Sequence, residues 1–414
     1  MTAKSTRSAT THRELVVLVL GLACAPARVP LEPASTARGA PAPSAPVAES
    51  AAPAPILTAA PAPPRFGAPP AGATSAAPSA PAAASAPPAA APTAPPGLPA
   101  GGLARGTSDP ADRALAEGDR AYFADELPRA KAEYRRAQRL APKDPAPELG
   151  IIRVELYETD VPTDYAAAPK NPKIQALLRR LDRLRAREPS YGPTEIERGR
   201  VLLILGRAEP ALESLTRAVA LLPEDPEARS ALGVALLALG KQSEALPHFK
   251  RAAELDGASA ERFRALGTAH LLLGEVDAAV AAYRRAVSIA PDDARAHSDL
   301  GTAHLAANAV QQALPELRRA IELDPQRATF RSNLAYAALL AGDLGAAEQE
   351  ANAAIKLDPN LGSAHINLGT VHARRGRYDD AERAFRRALA LDPSDPRPKA
   401  NLDELTELRQ KQKH

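Results

Sequence analysis

The 414-residue chain has one cysteine, no tryptophan and only 3% aromatic residues. A single cysteine excludes an internal disulfide framework, so packing alone must hold the fold. The net charge is +3, from 52 basic and 49 acidic residues, which gives no excess of positive charge for nucleic acid. The scarcity of aromatic side chains also excludes a base-stacking platform. We therefore expect no nucleic-acid partner.

Motifs for catalysis are missing as well. The sequence contains no glycine-rich phosphate loop, no nucleophile elbow, no HExxH motif and no paired catalytic carboxylates. Histidines 297 and 304, and again 365 and 372, are seven residues apart, which is too far for shared metal ligation on one helix. We therefore predict a protein that is not an enzyme, with no catalytic residue, no cofactor and no metal site.

An apolar run over residues 15–23 follows three basic residues and ends at Cys24. Nine apolar residues cannot span a bilayer as a helix, but this order is typical of an export signal. Residues 21–24 read Gly-Leu-Ala-Cys and resemble a bacterial lipobox, although Gly21 and Leu22 depart from its usual residues. The resemblance implies a segment 1–24 that directs lipidation of Cys24, and a membrane-anchored lipoprotein that faces the periplasm. A non-lipidated secretory signal, an uncleaved anchor and a cytoplasmic chain remain alternatives.

Residues 25–107 differ in composition from the rest of the chain. Half of the 42 prolines lie between Cys24 and Thr107, and no charged residue occurs between Arg65 and Arg105. Such a segment buries too little apolar surface to offset the entropy of ordering it. We predict a disordered, low-complexity Pro/Ala-rich linker.

A 34-residue period dominates the remainder of the chain. The period is visible in three rows of residues: Gly206, Gly240, Gly274, Asn308, Gly342 and Gly376; Ala211, Ala245, Ala279, Ala313, Ala347 and Ala381; and Ala218, Ala252, Ala286, Ala320, Ala354 and Ala388. The first row suits a left-handed turn after a helix, where glycine and then asparagine are tolerated best. The alanines allow two helices to approach closely.

This pattern resembles the tetratricopeptide repeat, which implies an all-α, right-handed α-solenoid of stacked helix-turn-helix units. The repeat array is predicted over residues 111–395, followed by a capping helix over 396–414. Its units are 111–144, a divergent 145–191, 192–225, 226–259, 260–293, 294–327, 328–361 and 362–395. The divergent unit carries an insertion at residues 159–172, which is either a docking feature or a spacer.

Two rows of polar residues recur on the first helix of the units. One row contains Thr268, Thr302 and Thr370, and the other contains Asp299, Asn333, Asn367 and Asn401. An amide carries both a donor and an acceptor, so such a row can bind the backbone of an extended peptide. The alternative is that asparagine here is only a common residue of the repeat. The first interpretation predicts a peptide-binding groove.

The resemblance implies a non-catalytic scaffold that binds protein partners during assembly of a cell-envelope complex. Two alternatives are a cytoplasmic adaptor and an accessory module of a glycan-modifying complex. The sequence does not predict an oligomeric state.

Overall fold

A computed structural model describes residues 101–161 and 165–411, all within one compact unit of the chain. These residues form seventeen helices and no strands, which confirms the all-helical prediction. The helices are α1 Pro110–Phe123, α2 Leu127–Leu140, α3 Pro145–Tyr157, α4 Pro172–Arg187, α5 Gly192–Ile204, α6 Ala208–Leu221, α7 Pro226–Ala238, α8 Gln242–Leu255, α9 Ala260–Leu272, α10 Val276–Ile289, α11 Ala294–Ala306, α12 Val310–Leu323, α13 Ala328–Ala341, α14 Leu344–Leu357, α15 Gly362–Arg374, α16 Tyr378–Leu391 and α17 Pro396–Lys411.

Local sequence signals set the ends of these helices. Asp225 precedes Pro226, and its side chain accepts a hydrogen bond from the Ala228 backbone at 2.7 Å. An aspartate before the helix and a proline in its first turn are favourable because that turn has unpaired N–H groups. At the other end, the predicted left-handed turn residues all have positive φ, from 57° at Asn308 to 80° at Gly342. That prediction is confirmed.

The helices stack in sequence, each packing on the one before and the one after. The alanine rows lie at these contacts, and Ala211, Ala245, Ala279, Ala313, Ala347 and Ala381 are fully buried. Beyond residue 270 the buried apolar side chains fall into separate clusters, each made by neighbouring helices. From Leu103 to Ala269, one continuous cluster joins α1 to α9. The core is therefore divided into local clusters in the later units, as expected for a solenoid.

The insertion in the divergent unit covers the end of α5. Backbone N–H groups of Ala166 and Ala168 donate to the carbonyl oxygens of Leu203 and Ile204 at 2.9 and 3.1 Å. The Tyr165 hydroxyl donates to the Gly206 carbonyl at 3.3 Å. The bonds to Ile204 and Gly206 satisfy carbonyls that the end of the helix leaves unpaired, whereas the Leu203 carbonyl also accepts from Gly206 N.

Several sequence predictions lie outside the described residues. They are the signal segment 1–24 with Cys24, and the linker as far as residue 100. The linker was expected to extend to residue 107. The structure instead places residues 101–107 against α1, where Leu103 is buried.

Candidate protein-binding groove

The odd-numbered helices form one side of the array, which we call the inner side. Consecutive odd-numbered helices contact each other at nearly every step, such as α13 with α15 and α5 with α7. Even-numbered helices have no comparable contact with the next even-numbered helix. The described helices therefore approach most closely along the inner side.

The predicted Asp/Asn row lies on this inner side and links neighbouring repeats. Asn333 Nδ2 donates to Ser298 Oγ at 3.2 Å, and Asn367 Nδ2 donates to the Ser332 carbonyl at 2.9 Å. Each bond reaches 35 residues back, to the preceding odd-numbered helix. Asn401 at the start of α17 is also buried. The donors of Asn333 and Asn367 are thus engaged inside the array.

Asp299 also links neighbouring repeats, through an ion pair instead of an amide hydrogen bond. Arg264 Nε donates to Asp299 Oδ2 at 2.8 Å, again across 35 residues. Burial raises the pKa of the Asp299 carboxyl, and the Arg264 guanidinium opposes that rise. The pair is therefore a half-buried charged link between α9 and α11, and an uncompensated charge would remain if one partner were removed.

The threonine row is bonded within its own helices. Thr268, Thr302 and Thr370 hydroxyls donate to carbonyls four residues earlier, at 3.1, 2.9 and 3.0 Å. Thr268 and Thr370 are buried, whereas Thr302 is half-buried. Among the predicted groove residues, Asp299, Thr302 and Asn333 retain the most solvent contact.

Farther toward the amino terminus, charged side chains replace the amide row. Arg153 Nε donates to Glu197 Oε1 at 2.7 Å, and Arg200 contacts the same carboxylate at 3.1 Å. Arg200 and Arg262 then both pair with Glu227. This alternating chain connects α3, α5, α7 and α9, and it was not recognised in the sequence because its members do not share one repeat position.

Residues 101–107 are a second feature that the sequence did not predict. Backbone N–H groups of Leu103 and Ala104 donate to Asp119 Oδ2 at 2.6 and 2.8 Å. Arg153 on α3 donates to the Gly101 carbonyl at 2.9 Å. Asp119 and Arg153 stand 34 residues apart, at the place in α1 and α3 that Thr268, Thr302 and Thr370 occupy in later units. The segment therefore lies on the inner side of the first two helix pairs.

The histidines have structural partners. His297 Nε2 donates to the Pro291 carbonyl at 2.9 Å, and its Nδ1 lies 2.6 Å from Glu316 Oε2. His365 Nε2 donates to the Pro359 carbonyl at 3.0 Å. Both imidazoles thereby hold the loop before their helix.

In residues 101–161 and 165–411, no three histidine, cysteine, aspartate or glutamate side chains are grouped as metal ligands. No helix in those ranges is long and apolar enough to cross a membrane.

Sequence models of the tetratricopeptide repeat match residues 196–261, 243–294, 264–328, 298–362 and 362–395. No curated protein matches the sequence. Among solved structures, the Cut9–Hcn1 hetero-tetramer of the APC/C gives a TM-score of 0.56 at 17% identity. That match covers 71% of this chain and 55% of the other, so this chain spans about half the length of that relative. A likeness at this identity shows the fold.

Two further arrays match over shorter stretches. YrrB, described as a tetratricopeptide protein with an unusual peptide-binding site, has a TM-score of 0.36 at 21% identity, covering 46% of this chain and 99% of its own. A thermophilic tetratricopeptide protein of Thermus thermophilus has a TM-score of 0.40 at 24% identity, covering 44% and 99%. The sequence models and the stacked helix pairs agree over the same part of the chain. Residues 196–395 are tetratricopeptide repeats, stacked in an α-helical solenoid.

Proposed function

We propose that the array is a non-catalytic scaffold that binds an extended peptide segment of a partner protein along its inner side. The observation that carries this proposal is the position of residues 101–107. This stretch without regular secondary structure lies on the inner side, held by Asp119 and Arg153. Stacked helical repeats present extended concave surfaces of this kind, and such surfaces commonly bind other proteins.

In the later units, the ligand would contact the residues of the inner side that keep solvent exposure. Asp299, Thr302 and Asn333 are half-buried, and Leu340 at the end of α13 is 36% exposed. One Asn333 amide N–H bonds Ser298, so its Oδ1 acceptor and its second N–H are the groups that would meet a peptide backbone. The other predicted groove residues are buried and would support this surface from inside the array; they are Thr268, Asn367, Thr370 and Asn401.

The test uses a bulky substitution that blocks the inner side without breaking a contact between repeats. Ala306 is exposed at the last position of α11, which corresponds to Leu340 in α13 and Arg374 in α15. Arg374 donates to the Leu339 carbonyl on α13 at 2.9 Å, so this position faces the preceding odd-numbered helix. Linear peptides selected from a phage library on the native chain should bind Ala306→Arg about tenfold more weakly, a loss of about 1.4 kcal/mol.

A matched control carries the same new charge elsewhere. Gln349→Arg lies at an exposed position of the even-numbered helix α14 and should leave peptide binding unchanged. Failure to enrich any peptide, or equal loss in the two variants, would count against an inner-side groove.

The place of action is the second part of the proposal. An acylated Cys24 would tether the array to a membrane of the cell envelope, and its task there would be assembly of an envelope complex. We expect the native protein to fractionate with membranes and to carry the mass of a lipid, and Cys24→Ser to lose both properties. Recovery of native, unmodified protein with its first residues intact in the soluble fraction would contradict this tether and favour a cytoplasmic adaptor.

A further inference from the structure

Residues 101–107, which we call the docked segment, run antiparallel to α1. Gly101 lies near Phe123 at the end of the helix, with a Cβ placed on it 3.8 Å from Phe123 Cζ. The other end lies at Asp112 in the first turn, where Thr107 N donates to Oδ2 at 2.5 Å. From residue 112 to 123 a helix rises about 16 Å, and seven residues reach about 20 Å when fully extended. The docked segment covers this distance as an irregular loop, with positive φ at Gly101 and Gly106 and a bend at Leu103.

Two aspartate carboxylates of α1 accept hydrogen bonds from the backbone of the docked segment, independently of its side chains. Asp119 accepts from Leu103 N and Ala104 N, and Asp112 accepts from Arg105 N at 2.8 Å and from Thr107 N. These donors are main-chain groups that any non-proline residue provides. The site is thus suited to a peptide loop that presents neighbouring main-chain N–H groups to one carboxylate.

Two side chains of the docked segment, Leu103 and Arg105, make specific contacts with the array. Leu103 is 6% exposed and belongs to the apolar cluster of the first helix pairs. Both terminal nitrogens of Arg105 donate to Asp144, at 2.7 and 2.8 Å. This fork is the geometry in which arginine binds a carboxylate most strongly. Since Asp144 precedes α3, a Leu-x-Arg sequence is recognised across two helix pairs.

Asp112 and Asp119 are buried in the presence of the docked segment, whose N–H groups supply hydrogen bonds to both carboxylates. Asp119 is 1% exposed and Asp112 is 5% exposed. Burial raises the pKa of Asp119, and its hydrogen bond from Ala104 N and the nearby Arg153 guanidinium oppose the rise. The Tyr134 hydroxyl also donates to Asp119, at 2.9 Å, and does not belong to the segment. Displacing the segment would expose both carboxylates to water, so a replacement peptide must offer the same main-chain donors to compete with hydration.

Resting on the proposed function, we propose that the docked segment occupies in cis a peptide-binding site of the first two helix pairs. A partner protein with a Leu-x-Arg sequence that adopts the same loop conformation takes the same site once the segment is displaced. Because the segment is joined to α1 through residues 108 and 109, its effective concentration is high and it excludes weaker peptides. Access to this end of the groove is thus controlled by the chain itself.

The experiment weakens the segment in the full chain and leaves the site intact. The released variant is Leu103→Ala with Arg105→Ala, and the probe is a fluorescent peptide with the sequence of residues 101–107. We expect the released variant to bind the probe at least about tenfold more tightly than the native chain does, because the competing segment is weakened. Amide exchange at Leu103 and Ala104, slow in the native chain, should become fast.

Three controls define the site. Leu140→Ala with Arg139→Ala removes the same two residue types from an exposed part of α2 and should leave probe binding at the native level. A probe with alanine in place of its leucine and arginine should not bind the released variant. Asp119→Asn added to the released variant should abolish binding of the intact probe, with helicity monitored by circular dichroism.

Two outcomes would overturn the proposal. If the released variant melts at a lower temperature and neither it nor the native chain binds the probe, the segment is only an amino-terminal cap. If the native chain binds the probe as tightly as the released variant, the segment does not compete for the site. Neither outcome bears on Ala306→Arg, which tests the groove at α11, so failure here is distinguishable from failure of the proposed function.

Discussion

At the residue scale, a glycine on the first helix of most units packs against one large side chain of the second helix. A Cβ added at Gly301 would lie 2.7 Å from Leu317 Cγ, and one added at Gly369 would lie 2.6 Å from Phe385 Cε1. Unit 328–361 differs, since it carries Ala335 at the glycine position. Sixteen residues later, where other units place a large side chain, it carries the fully buried Ala351. The small side chain of Ala351 leaves the space that the Ala335 methyl group occupies.

This pairing makes a double-mutant prediction. Ala351→Phe should lower the free energy of unfolding by about 1–3 kcal/mol, because the new ring meets the Ala335 methyl group in a packed core. Ala335→Gly added to Ala351→Phe should recover much of that loss, since it restores the pair found in unit 362–395. Urea unfolding of the four chains gives the coupling energy. Strictly additive effects would show that the two positions do not share this space.

At the element scale, the helix pairs were predictable and their mutual contacts were not. The 34-residue spacing of the turn residues Gly206 to Gly376 sets where each helix ends, because only a few residues tolerate positive φ. The same spacing does not tell whether Asn367 faces a ligand or the neighbouring repeat, since both arrangements have identical periodicity. The structure places its amide donor on Ser332.

The docked segment was missed for a related reason. Its three glycines favour a loop or disorder, and composition alone predicts no fold. The available signal was Leu103 and Arg105, where the first charge since Arg65 appears beside an apolar residue. Its counterparts, Asp112, Asp119 and Asp144, are on α1 and before α3, and only the folded chain brings them together.

At the scale of the whole molecule, stability should be distributed locally. The cluster around Phe385 includes Leu405 and Leu408 of α17 but no residue before Ile366. Adjacent clusters cover the preceding units in turn. In such an array each repeat depends on its immediate neighbours, and an end repeat requires a cap. The last helix is therefore expected to protect only the units beside it.

Leu405→Asp tests this expectation in the full chain. Leu405 is 2% exposed, so a charge there cannot be solvated unless α17 detaches from α16. Hydrogen exchange should accelerate in α15, α16 and α17 and remain at the native rate in α5 to α10, because no buried cluster connects the two regions. Thr406→Asp, at the adjacent exposed position, should change neither region. Faster exchange throughout the array after Leu405→Asp would mean that the repeats unfold as one cooperative unit, and would require coupling beyond nearest neighbours.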